Sequence, residues 1–449
     1  MNRGEIAVAI IKVKDNNPVG AIQELLRSML EQGLVSAVLV PQEIPSHKIV
    51  VQTLVRDPAK LSGVNPLAPV FGVNSARIIA KMCVDQMRNT SVGPAMAQQP
   101  EQDQQTQAEH AKAENHAPEQ KDEQASKKGQ DTPGDEQVST VREDSQGETQ
   151  SAGDQQPAAA EGQPGVAPIA VVLRPCEIRA MVELVKLQQV SMDPFLVIGI
   201  DCWGTYSVQD YVAKVSQGSQ DSSVTADFLT QVTAGNLPEE LRTACRICQH
   251  PAPTHADLTI QLIGDDINQQ IHFQAQSEKG KELFAALGLE VTPESKGREK
   301  AVAKLKEDKK QLAEQDQLDF LDMVSSLCIN CHNCRAVCPI CYCKQCVFEG
   351  DVFKYPMEKY LSWSDKKGIL PMPPDKLLFH LTRMSHVATS CVACGQCEAA
   401  CPSGIPLGRV YHKISTAAQA ALDYEAGRSL DEELPLTIFR EDELSVVEN

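Results

Sequence analysis

Cys328-Ile329-Asn330-Cys331-His332-Asn333-Cys334-Arg335-Ala336-Val337-Cys338-Pro339 and Cys391-Val392-Ala393-Cys394-Gly395-Gln396-Cys397-Glu398-Ala399-Ala400-Cys401-Pro402 are two copies of one pattern, C-x2-C-x2-C-x3-C-P. This spacing wraps [4Fe-4S] clusters in bacterial-type ferredoxins. Three closely spaced thiolates take three irons of one cube, and the fourth Cys, displaced by the longer gap and the Pro turn, reaches the other cube. One cluster is therefore expected on Cys328, Cys331, Cys334 and Cys401, and the other on Cys391, Cys394, Cys397 and Cys338. Zinc ribbons use paired Cys without the triplet, and disulfides need an oxidising compartment.

The rest of the 449-residue chain argues for a reducing compartment. The apolar run at residues 6–11 is closed by Lys12, too short for a signal peptide, and no apolar run approaches the ~20 residues that span a bilayer. The expectation is a soluble, cytoplasmic protein of two or three domains, with its sixteen Cys open to metal. Of the net charge of −18, residues 97–165 supply −10, with fifteen Asp and Glu against five Lys and Arg. That balance argues against a nucleic-acid partner. The same segment contains no Leu, Ile, Met, Phe, Tyr or Trp, so it cannot offset its ordering entropy and is read as a disordered acidic insertion. It splits one domain, 1–96 and 166–295, because an α/β pattern runs on both sides of it.

That pattern begins with a buried strand at 5–11. A helix opened by Asn16-Asn17-Pro18 follows, with Ile22, Leu25, Leu26, Met29 and Leu30 at helical spacing, then a strand at 35–40. Such a strand–helix–strand unit builds a mostly parallel sheet covered by helices, the fold class expected. Another strand, 49–55, leads to the Pro-rich loop Asn65-Pro66-Leu67-Ala68-Pro69-Val70 and then to Asn74 and Arg77 at a helix start. From residue types alone the loop is a plain connector, although Arg77 could face a phosphate there. Strands at 168–173 and 195–200 run into Arg174-Pro175-Cys176 and Asp201-Cys202, at the carboxyl ends where such sheets place ligands. With the Cys245-Arg246-Ile247-Cys248 pair they complete a set of four thiols, which suits a third cluster or zinc, the plain alternative being small buried apolar groups. Cys341, Cys343 and Cys346 exceed what two cubes need. They could belong to a fourth cluster with a further donor such as Cys83, to a small zinc site, or be unligated. Residues 296–327 read as a charged, solvated linker helix, 328–425 as the dicluster ferredoxin domain with an insertion at 350–385, and 426–449 as a solvated acidic tail.

The run Arg174-Pro175-Cys176-Glu177-Ile178-Arg179-Ala180, with Gly199-Ile200-Asp201-Cys202-Trp203-Gly204, the Cys245–Cys248 pair, the 65–70 loop and Cys338-Pro339-Ile340-Cys341-Tyr342-Cys343, resembles the beta subunits of coenzyme F-420-dependent hydrogenases and formate dehydrogenases, most of all the latter. The resemblance covers nearly the whole chain except 97–165. It implies a flavoprotein in which FAD lies in the α/β domain beside a [4Fe-4S] cluster on Cys176, Cys202, Cys245 and Cys248. Asn65, Pro66, Leu67, Asn74 and Arg77 would lie near the flavin. It further implies electron exchange between a hydride-carrier coenzyme and a catalytic oxidoreductase subunit that holds the formate site. No G-x-G-x-x-G is present, so the residues themselves do not indicate a dinucleotide site. The alternative is a flavin-free relay and docking subunit of a heterodisulfide-reductase-like complex.

Overall fold

The structure, a computed structural model, describes residues 7–91, 167–217, 221–293, 295, 297–315, 320–343, 345–350, 356–369 and 375–439. The acidic insertion at 97–165 lies outside the described residues, as does the end of the tail. Met1–Gln86 and Gly162–Asn449 form one compact unit, and Met87–Glu161 a second.

The first unit is built on an eight-stranded sheet: β1 (Ala7–Lys12), β2 (Ala37–Ile44), β3 (Ile49–Val55), β4 (Ile169–Leu173), β5 (Phe195–Ile200), β6 (Leu258–Gln261), β7 (Gln270–Ala275) and β8 (Val291–Thr292), in the order β3-β2-β4-β5-β6-β7-β1-β8. Asn17 accepts from the Gly20 N–H at 2.9 Å to start the helix Pro18–Glu31, whose Ile22, Leu25, Leu26 and Met29 are buried. β2 from before the acidic interval pairs in parallel with β4 from after it.

The expectation of a mostly parallel sheet needs correction. β2, β4, β5 and β6 are mutually parallel, but the β2–β3, β6–β7, β1–β7 and β1–β8 pairings are antiparallel, so the sheet is mixed. The reason is connection length. β2 and β3 are joined by Pro45–His47 and a left-handed Lys48, too short a link for a parallel crossover. β1 is also not the neighbour of β2, because it fills the far side of the sheet beside β7.

Alternation along the central strands feeds two cores. Val38, Val40, Ala170, Val172, Leu196 and Ile198 face one side with the first helix. Leu39, Val171, Leu173, Phe195 and Val197 face the other, with Ala76 and Ile79 of the helix Ser75–Ser91 and Ile178 and Met181 of the helix Pro175–Lys186. The second core also takes in Val392, Tyr424, Ala426 and Leu434. The tail is thus not simply solvated. Tyr424 Oη donates to the buried Glu183 carboxylate at 2.6 Å, and the Gly427 N–H does so at 2.8 Å. The linker reading is also incomplete. In the helix Arg298–Glu314, Arg298, Leu305 and Lys309 are buried, because Arg298 pairs with Asp201 and Lys309 Nζ donates to the Trp203 carbonyl at 2.7 Å. A further helix, Phe320–Leu327, precedes the first Cys motif.

The helix Glu278–Ala286 starts where Gly280 packs on the Asp257 carbonyl oxygen, with which a Cβ would collide. Gly280→Ala is expected to lower stability by about 1–3 kcal/mol through overpacking, against Ala's better helix propensity. An unchanged or raised denaturant midpoint would count against this packing.

Candidate iron-sulfur sites

The two Cys motifs fold alike, position by position. Asn330 and His332 have φ of 55° and 57°, and their counterparts Ala393 and Gly395 have 53° and 70°. Alternating left-handed residues turn successive N–H groups to one side, making a concavity suited to anionic sulfur. The Asn330 N–H donates to Cys328 Sγ at 3.4 Å, and the Ala393 and Gln396 N–H groups donate to Cys391 and Cys394. Each motif closes with a one-turn helix, Asn333–Ala336 and Gln396–Ala399.

The eight thiols gather across the motifs. Cys328, Cys331, Cys334 and Cys401 line one pocket with Phe379 and His380. Cys391, Cys394 and Cys397 each lie within electrostatic reach of Cys338, from the first motif. Burial pushes the Cys334 thiol up to about 11 and that of Cys394 to about 12, the thiols around them adding to the effect. A cationic centre offsets both causes, so the donor set fits a metal cluster.

Cys341 belongs to this second group as a neighbour of Cys338. Its thiol hydrogen-bonds Cys338, which holds Cys338 down at about 5 and pushes Cys341 up. Cys83 sits in the second core of the sheet, whereas Cys341 and Cys346 pack in the core of the Cys motifs, so Cys83 does not join them. Cys343 is exposed. Among the described residues, no three His, Cys, Asp or Glu side chains converge on a single metal ion.

The α/β cysteines come from three connections. Pro175 and the Glu177 carboxylate, which accepts from the Arg174 and Ser75 N–H groups at 2.8 and 2.9 Å, fix the turn that carries Cys176 after β4. Asp201 accepts from the Leu262 and Ile263 N–H groups at 2.9 and 3.0 Å, tying the end of β5 to that of β6, and Cys202 follows. Cys245 and Cys248 come from the connection before β6, Cys245 inside the one-turn helix Thr243–Arg246. Burial pushes Cys176 well up, its charged neighbours being Glu177, Cys394, Cys202 and Cys248. Burial raises Cys202 to about 11, opposed by Arg174. All four thiols therefore share one region, which adjoins Cys394 of the second motif.

Two arginines bridge that junction. Arg242 reaches Cys245 Sγ at 3.9 Å and donates to the Cys394 carbonyl at 2.7 Å, while Arg179 donates to the Val392 carbonyl at 3.3 Å. Gly395 is required here, because a Cβ would collide with Ala244. Arg242 stands three residues before Cys245, a position that gives a weak signal in sequence. Lys309 lies within a charge run that carries no such signal.

The residues expected near a flavin are divided. Pro66 and Leu67 line a pocket with Pro69, Arg174, Cys202 and Trp203. Asn65 does not line it. Its amide donates to Glu43 at 2.6 Å and to Thr225 at 2.9 Å. Asn74 accepts from the Ala76 N–H at 3.0 Å, and Arg77 donates to the Cys338 carbonyl at 3.1 Å rather than facing a phosphate. Pro66, Leu67 and Arg174 therefore fit the wall of a flavin site, Asn65 and Arg77 are engaged elsewhere, and the buried Asn74 Nδ2 has no hydrogen-bond partner among the described residues.

Residues 324–405 match the 4Fe-4S dicluster domain, and residues 166–296 match the C-terminal region of the coenzyme F-420 hydrogenase/dehydrogenase beta subunit. The F-420-dependent formate dehydrogenase subunit beta of Methanocaldococcus jannaschii is 30% identical over 300 residues, 60% of this chain and 75% of that protein. The F-420-dependent formate dehydrogenase 1 subunit beta of Methanococcus maripaludis is 30% identical over 305 residues, again 60% and 75%. A chain of the F-420-reducing [NiFe] hydrogenase complex from Methanosarcina barkeri aligns over 69% of this chain and 91% of its own at 10% identity and a TM-score of 0.38, a likeness too weak to carry weight. Among the described residues no helix is long and apolar enough to cross a membrane. With these matches spanning both the sheet and the Cys motifs, the chain belongs to the coenzyme F-420 hydrogenase/dehydrogenase beta subunit family.

Proposed function

We propose that this chain is the iron-sulfur electron-transfer subunit of an F-420-dependent formate dehydrogenase or hydrogenase type of complex, exchanging electrons between a hydride carrier at FAD and a catalytic partner subunit. The observation that carries the reading is the junction at Arg242, where the α/β thiols and the second ferredoxin-like motif meet in one compact body. When bound, [4Fe-4S] clusters supply one-electron transfer, and FAD supplies exchange between a two-electron carrier and single electrons.

The chain's own part is placement. Cys328, Cys331, Cys334 and Cys401 would hold one cluster, Cys391, Cys394, Cys397 and Cys338 a second, and Cys176, Cys202, Cys245 and Cys248 a third. Pro66, Leu67 and Arg174 would bound the flavin beside Cys202. The flavin-free relay of a heterodisulfide-reductase-like complex is favoured by one observation, the commitment of the Asn65 and Arg77 donors to other partners.

Anaerobic purification with iron, sulfide and flavin analysis decides between them. The expected result is about twelve irons per chain with FAD, falling to about eight in Cys202→Ala. About twelve irons with no flavin would select the relay. Unchanged iron in Cys202→Ala would remove the third cluster.

A further inference from the structure

The helix Lys376–Val387 ends the stretch that lengthens the interval between the two Cys motifs, and it carries a buried cation into the space between them. Arg383 is only 4% exposed. Its Nε and Nη1 find no hydrogen-bond partner among the described residues. Its guanidinium rests on the Tyr411 ring, 4.5 Å from the centroid, and contacts the Cys341 thiol. It also lies within electrostatic reach of Cys334 of one quartet and of Cys338 and Cys397 of the other.

A guanidinium carried unpaired into an interior is costly, so such a group implies an anion in its surroundings. A [4Fe-4S] centre held by four thiolates is anionic in both oxidation states, and more so when reduced. Hydrogen bonds to its sulfurs and nearby charge set its potential.

We propose that Arg383 is a positioning residue shared by the two ferredoxin-like quartets, its unpaired N–H groups donating to Cys sulfurs on both sides and its charge stabilising the one-electron-reduced state of both centres. Each reduction adds one electron to a cluster, and Arg383 keeps its proton throughout. The insertion thereby gains a role, since the helix that closes it delivers this charge. The proposal rests on the reading that both quartets hold clusters, and iron and sulfide analysis of the parent protein tests that reading separately.

The test is a redox titration followed by electron paramagnetic resonance on anaerobically purified full-length Arg383→Gln and Arg383→Lys. Parental iron is expected in R383Q, with both ferredoxin-type midpoints moved negative by at least a tenfold change in the one-electron equilibrium, about 59 mV. R383K, which keeps the charge, is expected to stay nearer the parent. Parental midpoints in iron-replete R383Q, or a shift in R383K as large as in R383Q, would overturn the proposal. If R383Q fails to load iron, R383K decides: full iron with near-parental midpoints supports a charge role, and loss of iron there too refutes it.

Discussion

Asp201→Ala is expected to cost at least about 3–5 kcal/mol of stability, the range for removing one partner of a buried ion pair alone. The Asp201 side chain is fully buried and serves three elements at once. It accepts from the Leu262 and Ile263 N–H groups at 2.9 and 3.0 Å, and from Arg298, whose Nη2 lies 2.7 Å away. Alanine would strand the Arg298 charge in the interior and leave two backbone donors unsatisfied, the latter costing about 1–3 kcal/mol each where water cannot reach them. Because Cys202 is the next residue, the α/β thiol set would loosen along with the β5–β6 end and the helix Arg298–Glu314. Denaturant midpoints measure this, with Glu240→Ala as the comparison. That residue pairs with Lys214 at 3.2 Å but is 56% exposed, and its loss should matter by less than about 1 kcal/mol. An Asp201→Ala variant as stable as Glu240→Ala would rule out a structural role for the latch.

The Asp201 latch also marks the limit of what sequence reading reaches. Local signals carried far. The positions of β3 and β5, the first helix and the thiol triplets are visible because apolar period, turn residues and Cys spacing each act within about a dozen residues. Strand order is a different kind of information. β1 lies beside β7 and β8 through the long-range register Ala7↔Ala275 and Val8↔Thr292, and no local pattern encodes that choice. The charged residues show the same division. Lys309 and Arg298 sit in a run that reads as solvated, and only the arrival of the Trp203 carbonyl and the Asp201 carboxylate makes their burial tolerable. Tyr424, Ala426 and Gly427 stand at the start of an acidic stretch, yet Glu183 of a distant helix draws them into a core. In the candidate site the cysteines were legible by spacing, whereas the cations around them, Arg179, Arg242 and Arg383, were not. A buried Arg is defined by what surrounds it, and nothing in its own sequence neighbourhood records that.

Crossing of the fourth ligands is expected to produce paired phenotypes. Cys338 belongs to the first motif by sequence but neighbours Cys391, Cys394 and Cys397 in space, and Cys401 lies with Cys328, Cys331 and Cys334. Cys338→Ala should therefore lose the same centre as Cys391→Ala, and Cys401→Ala the same centre as Cys328→Ala, each variant dropping by about four irons. The residual paramagnetic resonance signal of the reduced protein is the readout, since what remains identifies which centre was lost. A residual spectrum of Cys338→Ala matching that of Cys328→Ala would refute the crossing. The effect should be large because Cys338 is held from several sides. Its carbonyl takes the Arg77 hydrogen bond at 3.1 Å, and its sulfur takes that of Cys341. A Cys341→Ala variant gives the internal comparison. It leaves all four proposed ligands in place, so iron should be retained while the environment of Cys338 changes, separating a hydrogen-bonding thiol from a ligand.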